Sequence, residues 1–319
     1  MDEIVTAQMV RQAADRITPL ARRTPVMTSR SIDKRAGIRS FFKCENLQRG
    51  GAFKIRGAAN LVLSIPQADL PRGVVAFSSG NHAQATAIAA RHVGAPATIV
   101  MPHDAPRAKM DATRDAGARI VTYDRFIDDR EAIASAVMAE TGGTLVPPFD
   151  HPMIIAGQGT ATLELMEDAP EFDALVVCVG GGGLLSGSAT IAKSLRPGIR
   201  IFGVEPELAN DTYLSFAKGE RVAIAPPDTI ADGLRSPAPG KLTFPIIQRH
   251  VEQMLLVTED EIRATVRFLL ERMKIFVEPS GAVAAAAVLF GKLPAGIRSA
   301  GIVISGGNAD LEFLQSCQA

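Results

Sequence analysis

Three clusters in this chain carry groups able to do chemistry. The first is GGAFKIRGA, where Lys54 stands between Phe53 and Ile55 with Gly50, Gly51 and Gly57 around it. A lysine in an apolar, tightly turned setting is desolvated, which lowers its pKa and frees a neutral amine for attack on a carbonyl. Taken alone, the residue reads better as an ordinary surface lysine whose stem covers apolar neighbours. The second cluster is Gly180, Gly181, Gly182 and Gly183, set between VVCV and LLSG. Consecutive glycines let several backbone N–H groups converge on one anion, and a helix starting there adds its positive end, so phosphate is a natural ligand. A plain tight turn with close helix–sheet packing uses the same residues. The third cluster is SSGNHAQA, residues 78–85. Ser78 or Ser79 can cap a following helix. Asn81, His82 and Gln84 add polar groups that a cap does not need, and with the helix N–H groups such a set can hold a carboxylate.

Negative patterns narrow these readings. No GK[ST] follows the glycine run, and G-x-G-x-x-G fails because Leu185 or Ser186 falls where its third glycine belongs. Glu205, at the end of the next strand, lies about where a ribose-binding acid would be, which keeps a dinucleotide enzyme open. With 34 basic and 34 acidic side chains among 319 residues, the net charge is zero. Nucleic acid or an anionic membrane held by bulk charge is therefore not an expected partner. Cys44, Cys178 and Cys317 form an odd set without CxxC spacing, so neither a disulfide framework nor a zinc site is expected. A reducing cytoplasm fits best. The N-terminus MDEIVTAQMV lacks the basic region of a secretion signal, and the apolar runs fall short of the ~18 residues that span a bilayer.

The elements that position the clusters read as α/β. Residues 73–77, 97–101 and 118–123 are predicted strands, alternating with helices over 81–92, 106–116 and 128–140. Glycines and prolines in GGTLVPPFDHP break the pattern, marking a candidate domain crossing at residues 142–152. A second series places strands at 174–180, 199–204, 253–257 and 301–305. Helices are expected at 184–195, from Thr258 to Met273 behind a Thr258/Glu261 capping box, and at 280–290. A proline-rich loop is expected over 226–245. Repeated βα units argue for two parallel sheets of unequal size, with ligands beyond the carboxyl ends of the strands.

Six motifs, GGAFKIRGA, SSGNHAQA, AGQGT (156–160), GGGGLLSG, EPSGA (278–282) and SGGN (305–308), occur in an order that resembles the serine/threonine dehydratase and serine racemase group. These are pyridoxal-phosphate (PLP) enzymes of fold type II, and the resemblance spans nearly the whole chain. It implies a large domain of residues 1–72 and 147–319, a small domain of residues 73–146, and PLP in the cleft between them. By the same resemblance Lys54, beside Phe53, carries the cofactor as a Schiff base. Gly180 to Gly183 with Leu184 form the phosphate cup, Asn81 meets the phenolic oxygen, and Glu278 is a further cofactor contact. Ser305 faces the pyridine nitrogen, where a hydroxyl serves a neutral ring. Ser78, Ser79, Gly80, Asn81 and His82 embrace the substrate carboxylate.

The implied reaction is β-elimination from a 3-hydroxy amino acid such as threonine, serine, 3-hydroxyaspartate or 3-phenylserine, giving a 2-oxo acid and ammonia. Lys54 is the catalytic base. Ser79 stands where racemases carry a second base, so an amino-acid racemase using Lys54 and Ser79 is the alternative. A non-catalytic sensor that keeps the cofactor cup is a third class, against which Lys54 argues. Glu205, the Ala209 carbonyl and Asp211 resemble a divalent-cation site suited to Mg2+ or Ca2+. Ala238 replaces a serine of the racemase pattern, and Arg130 resembles a pocket-region arginine. The resemblance implies a cytoplasmic homodimer acting on small molecules. Because the chain stops soon after SGGN, no regulatory C-terminal domain is expected.

Overall fold

The computed structural model describes residues 4–78, 80–105, 107–124, 127–310, 312–313 and 317. Strands β1 (Val26–Met27) and β2 (Arg39–Cys44) belong to one sheet, while β3 (Val74–Phe77), β4 (Ala97–Pro102), β5 (Arg119–Tyr123) and β6 (Thr144–Leu145) form another. The first sheet is completed by β7 (Ala174–Cys178), β8 (Arg200–Pro206), β9 (Gln253–Val257) and β10 (Ser299–Ile304). Its six strands run in the order β1-β2-β10-β7-β8-β9, and the four-stranded sheet runs β5-β4-β3-β6. Every pairing is parallel except β1 with β2. The expectation of two unequal parallel sheets therefore holds.

Twelve described helices cover these sheets. In order they are α1 (Ala7–Ile17), α2 (Arg30–Ala36), α3 (Lys54–Val62), α4 (Asn81–His92), α5 (Arg107–Asp115) and α6 (Arg130–Thr141). The second half has α7 (Pro152–Asp168), α8 (Gly183–Leu195), α9 (Asp211–Lys218), α10 (Thr243–His250), α11 (Glu259–Met273) and α12 (Pro279–Leu289). Helix α12 is buried along its whole length, as an alanine-rich helix with no polar face must be. The capping box forms: Thr258 accepts from the Glu261 N–H and Glu261 accepts from the Thr258 N–H.

Three differences from the sequence reading have physical causes. Helix α10 starts inside the proline-rich stretch because Asp150, from a distant loop, accepts from the N–H groups of Lys241, Leu242 and Thr243. The two-residue β6 lies in the expected break and pairs with β3, too short to leave a periodic signal. Ser78 does not cap α4: its Oγ accepts from the Gly80 N–H at 3.3 Å, and Gly80 itself is the N-cap with no side-chain bond to the helix.

A buried charge cluster fixes the start of α3. The Arg56 guanidinium, fully buried, donates to Glu45 at 2.7 Å and to Glu164 at 2.8 Å, and Lys43 pairs with Glu164 at 2.6 Å. These contacts tie β2, α3 and α7 together two residues beyond Lys54.

Candidate active site

The two sheets face one cleft of about 190 Å³, lined from both sides. Residues from all three clusters reach it, among them Lys54, Ser78, Asn81 and Gly180 to Gly183, and so does Ser305 from SGGN. Ser79 lies outside the described residues.

Lys54 opens α3, immediately after a bridge between Ala52 and Gly306 and a hydrogen bond from the Phe53 N–H to the Ser305 carbonyl at 3.0 Å. That pairing holds the lysine beside the end of β10. Its ammonium donates to the Pro148 carbonyl at 2.9 Å and lies 5.1 Å from the centre of the Phe53 ring. Burial lowers its pKa from 10.5 to about 8. The amine is thus close to deprotonation at neutral pH.

The glycine run crosses from β7 into α8. Gly182 has φ near 91°, a left-handed conformation that suits glycine, and it is the N-cap of α8 with no side-chain bond to the helix. At Gly181 a Cβ would fall 2.3 Å from the Phe149 ring. The Gly181 carbonyl is anchored by Thr243 Oγ1 at 2.7 Å and by the Gly240 N–H at 3.2 Å. Helices α4 and α8 both start at the cleft with a glycine at the N-cap and, among the described residues, without a side-chain cap, so each presents the positive end that an anion seeks. Two such ends match two anions, a phosphate and a carboxylate.

Between them runs a hydrogen-bonded network. Asn81 Nδ2 donates to Glu278 Oε1 at 2.7 Å, Asn308 Nδ2 donates to Asn81 Oδ1 at 2.9 Å, and the Asn308 N–H donates to Glu278 Oε2 at 3.0 Å. Burial, with the charge of Asp232, pushes the Glu278 carboxyl up to about 8. Ser305 is buried with its Oγ 3.4 Å from the Ser280 carbonyl, and Cys178 is hydrogen-bonded to its side chain. Burial pushes that thiol up to about 11, so it stays neutral.

His82 is corrected in one respect. Its Nε2 lies 2.8 Å from the Val146 carbonyl and must donate to it, while burial and the charge of Lys54 lower its pKa to about 3. A neutral imidazole in this tautomer offers a carboxylate only a lone pair. What His82 has for a carboxylate is its backbone N–H.

Glu205 does not line the cleft. Its carboxylate is buried and accepts from the N–H groups of Thr212 at 3.2 Å and Tyr213 at 2.7 Å, which removes it as a ribose ligand. Asp211 is also buried, and both of its carboxylate oxygens lack a hydrogen-bond partner. Burial raises both pKa values, Asp211 to about 7, and the Asp211 charge adds to the rise at Glu205. Ala209 is buried in the connecting turn. No cluster of three or more His, Cys, Asp or Glu side chains occurs among the described residues.

Sequence reasoning passed over Pro148, Phe149 and Asn308. Asn308 was readable as the last residue of SGGN, whereas a carbonyl and an apolar ring from the 142–152 break give no local signal. Arg130 lines the cleft with its guanidinium 5.2 Å from the Phe77 ring centre.

A family model described as pyridoxal-phosphate dependent enzyme matches residues 17–306. The chain belongs to that family. This PLP-dependent enzyme is 49% identical over 303 residues to the L-threo-3-hydroxyaspartate ammonia-lyase of Saccharomyces cerevisiae, covering 95% of this chain and 93% of the relative. It is 48% identical over 303 residues to the serine racemase of Schizosaccharomyces pombe, covering 95% and 94%. Among solved structures, maize serine racemase superposes with a TM-score of 0.94 at 42% identity, over 98% of this chain and 96% of that one. Fold type II architecture and the PLP enzyme family thus agree with the motif resemblance.

Proposed function

We propose that this PLP enzyme eliminates water from a 3-hydroxy amino acid, and that hydrolysis of the resulting enamine takes up a water and releases a 2-oxo acid and ammonia. The observation that carries this reading is the Lys54 amine, lowered to about 8 by burial, in a cleft where two helices start without side-chain caps. The residues suit the cofactor: Gly181 packs against Phe149, where a Cβ would fall 2.3 Å from the ring, and the run offers backbone N–H groups at the start of α8. We assign Gly180 to Gly183 and Leu184 to the phosphate, Lys54 and Phe53 to the aldehyde end, and Asn81, Glu278 and Ser305 to the ring. When bound, PLP withdraws the electron pair left at Cα after proton loss.

The chain's own groups then have defined tasks. Lys54 as free amine takes the Cα proton, which a pKa near 8 makes feasible at neutral pH. Backbone N–H groups of the α4 start, with Ser78 and Gly80, hold the substrate carboxylate. Ser305 would place a neutral hydroxyl, not a carboxylate, against the ring nitrogen, a partner suited to a neutral ring and hence to elimination.

Racemisation, with Ser79 as the second base, is the second reading, favoured by the similarity to the Schizosaccharomyces pombe serine racemase. The partnerless oxygens of Asp211 support a site for Mg2+ or Ca2+ made with Glu205 and the Ala209 carbonyl. We further propose a large domain of residues 1–72 and 147–319, a small domain of 73–146, a homodimer and a cytoplasmic setting, the last supported by three free cysteines. No described helix is long and apolar enough to cross a membrane.

The test is a panel of 3-hydroxy amino acids assayed for 2-oxo acid release and for enantiomer exchange. Borohydride reduction of the loaded protein should trap the cofactor on Lys54, and Lys54→Ala should lose the visible absorption band. A reduced adduct on another lysine, or no turnover across the panel at full cofactor loading, would overturn the reading.

A further inference from the structure

The cleft is lined by an ion pair that the chemistry above does not use. Lys109, on α5 beside the four-stranded sheet, donates to Asp232, which sits in a short turn on the other side of the cleft. Both residues line the cleft. The Lys109 amine also flanks the loop that starts α4: a Cβ on Gly80 would lie 3.8 Å from Lys109 Nζ. It therefore stands between the backbone available to one carboxylate and the carboxylate of Asp232.

The other charged groups lining the cleft have contacts of their own. Arg235 spends its guanidinium on the Thr229 carbonyl at 2.8 and 2.6 Å, and Arg130 is stacked on Phe77. Glu278 is held by Asn81 and Asn308. The Lys109–Asp232 pair is different because both side chains remain partly exposed, 23% and 45%. Such pairs are weak, and one carboxylate replaces another on the ammonium at little net cost. A substrate with a single carboxylate uses the α4 start and has nothing to offer Lys109. A substrate with a second carboxylate presents the same group that Asp232 does.

We propose that Lys109 is a specificity residue for a second substrate carboxylate, and that Asp232 is a built-in competitor which occupies it until a dicarboxylic amino acid arrives. The proposal rests on the amino-acid-lyase reading of the cleft and narrows its substrate class to 3-hydroxy dicarboxylic amino acids. Lys109 acts by binding, and Asp232 acts on the second carboxylate through Lys109, although its charge also reaches Glu278.

The test is calorimetric titration of the cofactor-loaded protein with succinate and with propionate at constant ionic strength, a readout independent of turnover. Wild type should prefer succinate. Lys109→Met should weaken succinate about fivefold, the scale of a half-exposed ion pair, and leave propionate within about twofold; Lys109→Arg should restore succinate binding. Asp232→Asn should change succinate affinity in the opposite direction and tighten it, because the competitor is gone. A purely structural bridge predicts that both substitutions weaken binding alike. That outcome, equal effects on propionate, or no preference for succinate in wild type would overturn the proposal. Absence of turnover with intact succinate binding would instead count against the lyase reading alone.

Discussion

Lys54→Met in the cofactor-free protein should make the fold more stable at neutral pH while abolishing cofactor attachment. Keeping an ammonium whose pKa has moved from 10.5 to about 8 costs the folded state about 3 kcal/mol below pH 8. Methionine fills a similar volume without charge, but it forfeits the bond to the Pro148 carbonyl, which offsets about 1 kcal/mol. The net gain is about 2 kcal/mol, or about 3 °C in melting temperature for a chain of this size. The sign with pH follows from proton counting. Between pH 8 and 10.5 the unfolded chain holds more protons on this residue than the folded one, so wild type gains stability across that window and the variant does not. The advantage of the variant is therefore full near pH ~7 and lost by pH ~10. Thermal melts of the two stripped proteins at both pH values measure this. A variant that melts lower at neutral pH, or a difference independent of pH, would refute the claim that desolvation sets the reactivity of Lys54.

Gly181→Ala forces a methyl against the Phe149 ring, an overpacking cost of about 1–3 kcal/mol, and should weaken cofactor binding in a fluorescence titration. Arg56→Leu leaves Glu45 and Glu164 without their shared cation and should destabilise the protein by about 3–5 kcal/mol in urea unfolding, although Arg56 lies outside the cleft. Mg2+ or Ca2+ should raise the melting temperature of wild type by neutralising the buried Glu205–Asp211 pair, and Asp211→Asn should abolish that response. A metal response retained in the variant would argue against the proposed ligands.

Much of the architecture was legible because its signals are local. The helix over residues 81–92 is visible as an alanine-rich run closed by glycine two residues on, and α4 spans those residues. The capping box at Thr258 is a four-residue pattern and it forms as written. Where a partner comes from far along the chain, the local signal misleads. Ser78 or Ser79 reads as the cap of α4, but the Ser78 hydroxyl accepts from the Gly80 N–H and Gly80 is the N-cap. The first turn of α10 fell in the stretch read as loop because Asp150, which accepts from its N–H groups, is about ninety residues away.

The sequence by itself determined which groups could matter: a lysine amid glycines, a glycine run able to cradle an anion, and six motifs in the order of a PLP enzyme. Their residue types and spacing are one-dimensional properties. Tertiary structure decided their chemistry. The order β2-β10-β7 puts a strand from the end of the chain between two earlier ones, and this alone brings Lys54, Cys178 and Ser305 to one cleft. The lowered pKa of Lys54 is a desolvation effect and depends on how much of the chain surrounds the amine. The pairing of Lys109 with Asp232 likewise joins residues from opposite walls of the cleft. Burial and long-range charge depend on distances in space, and spacing along the chain does not encode them.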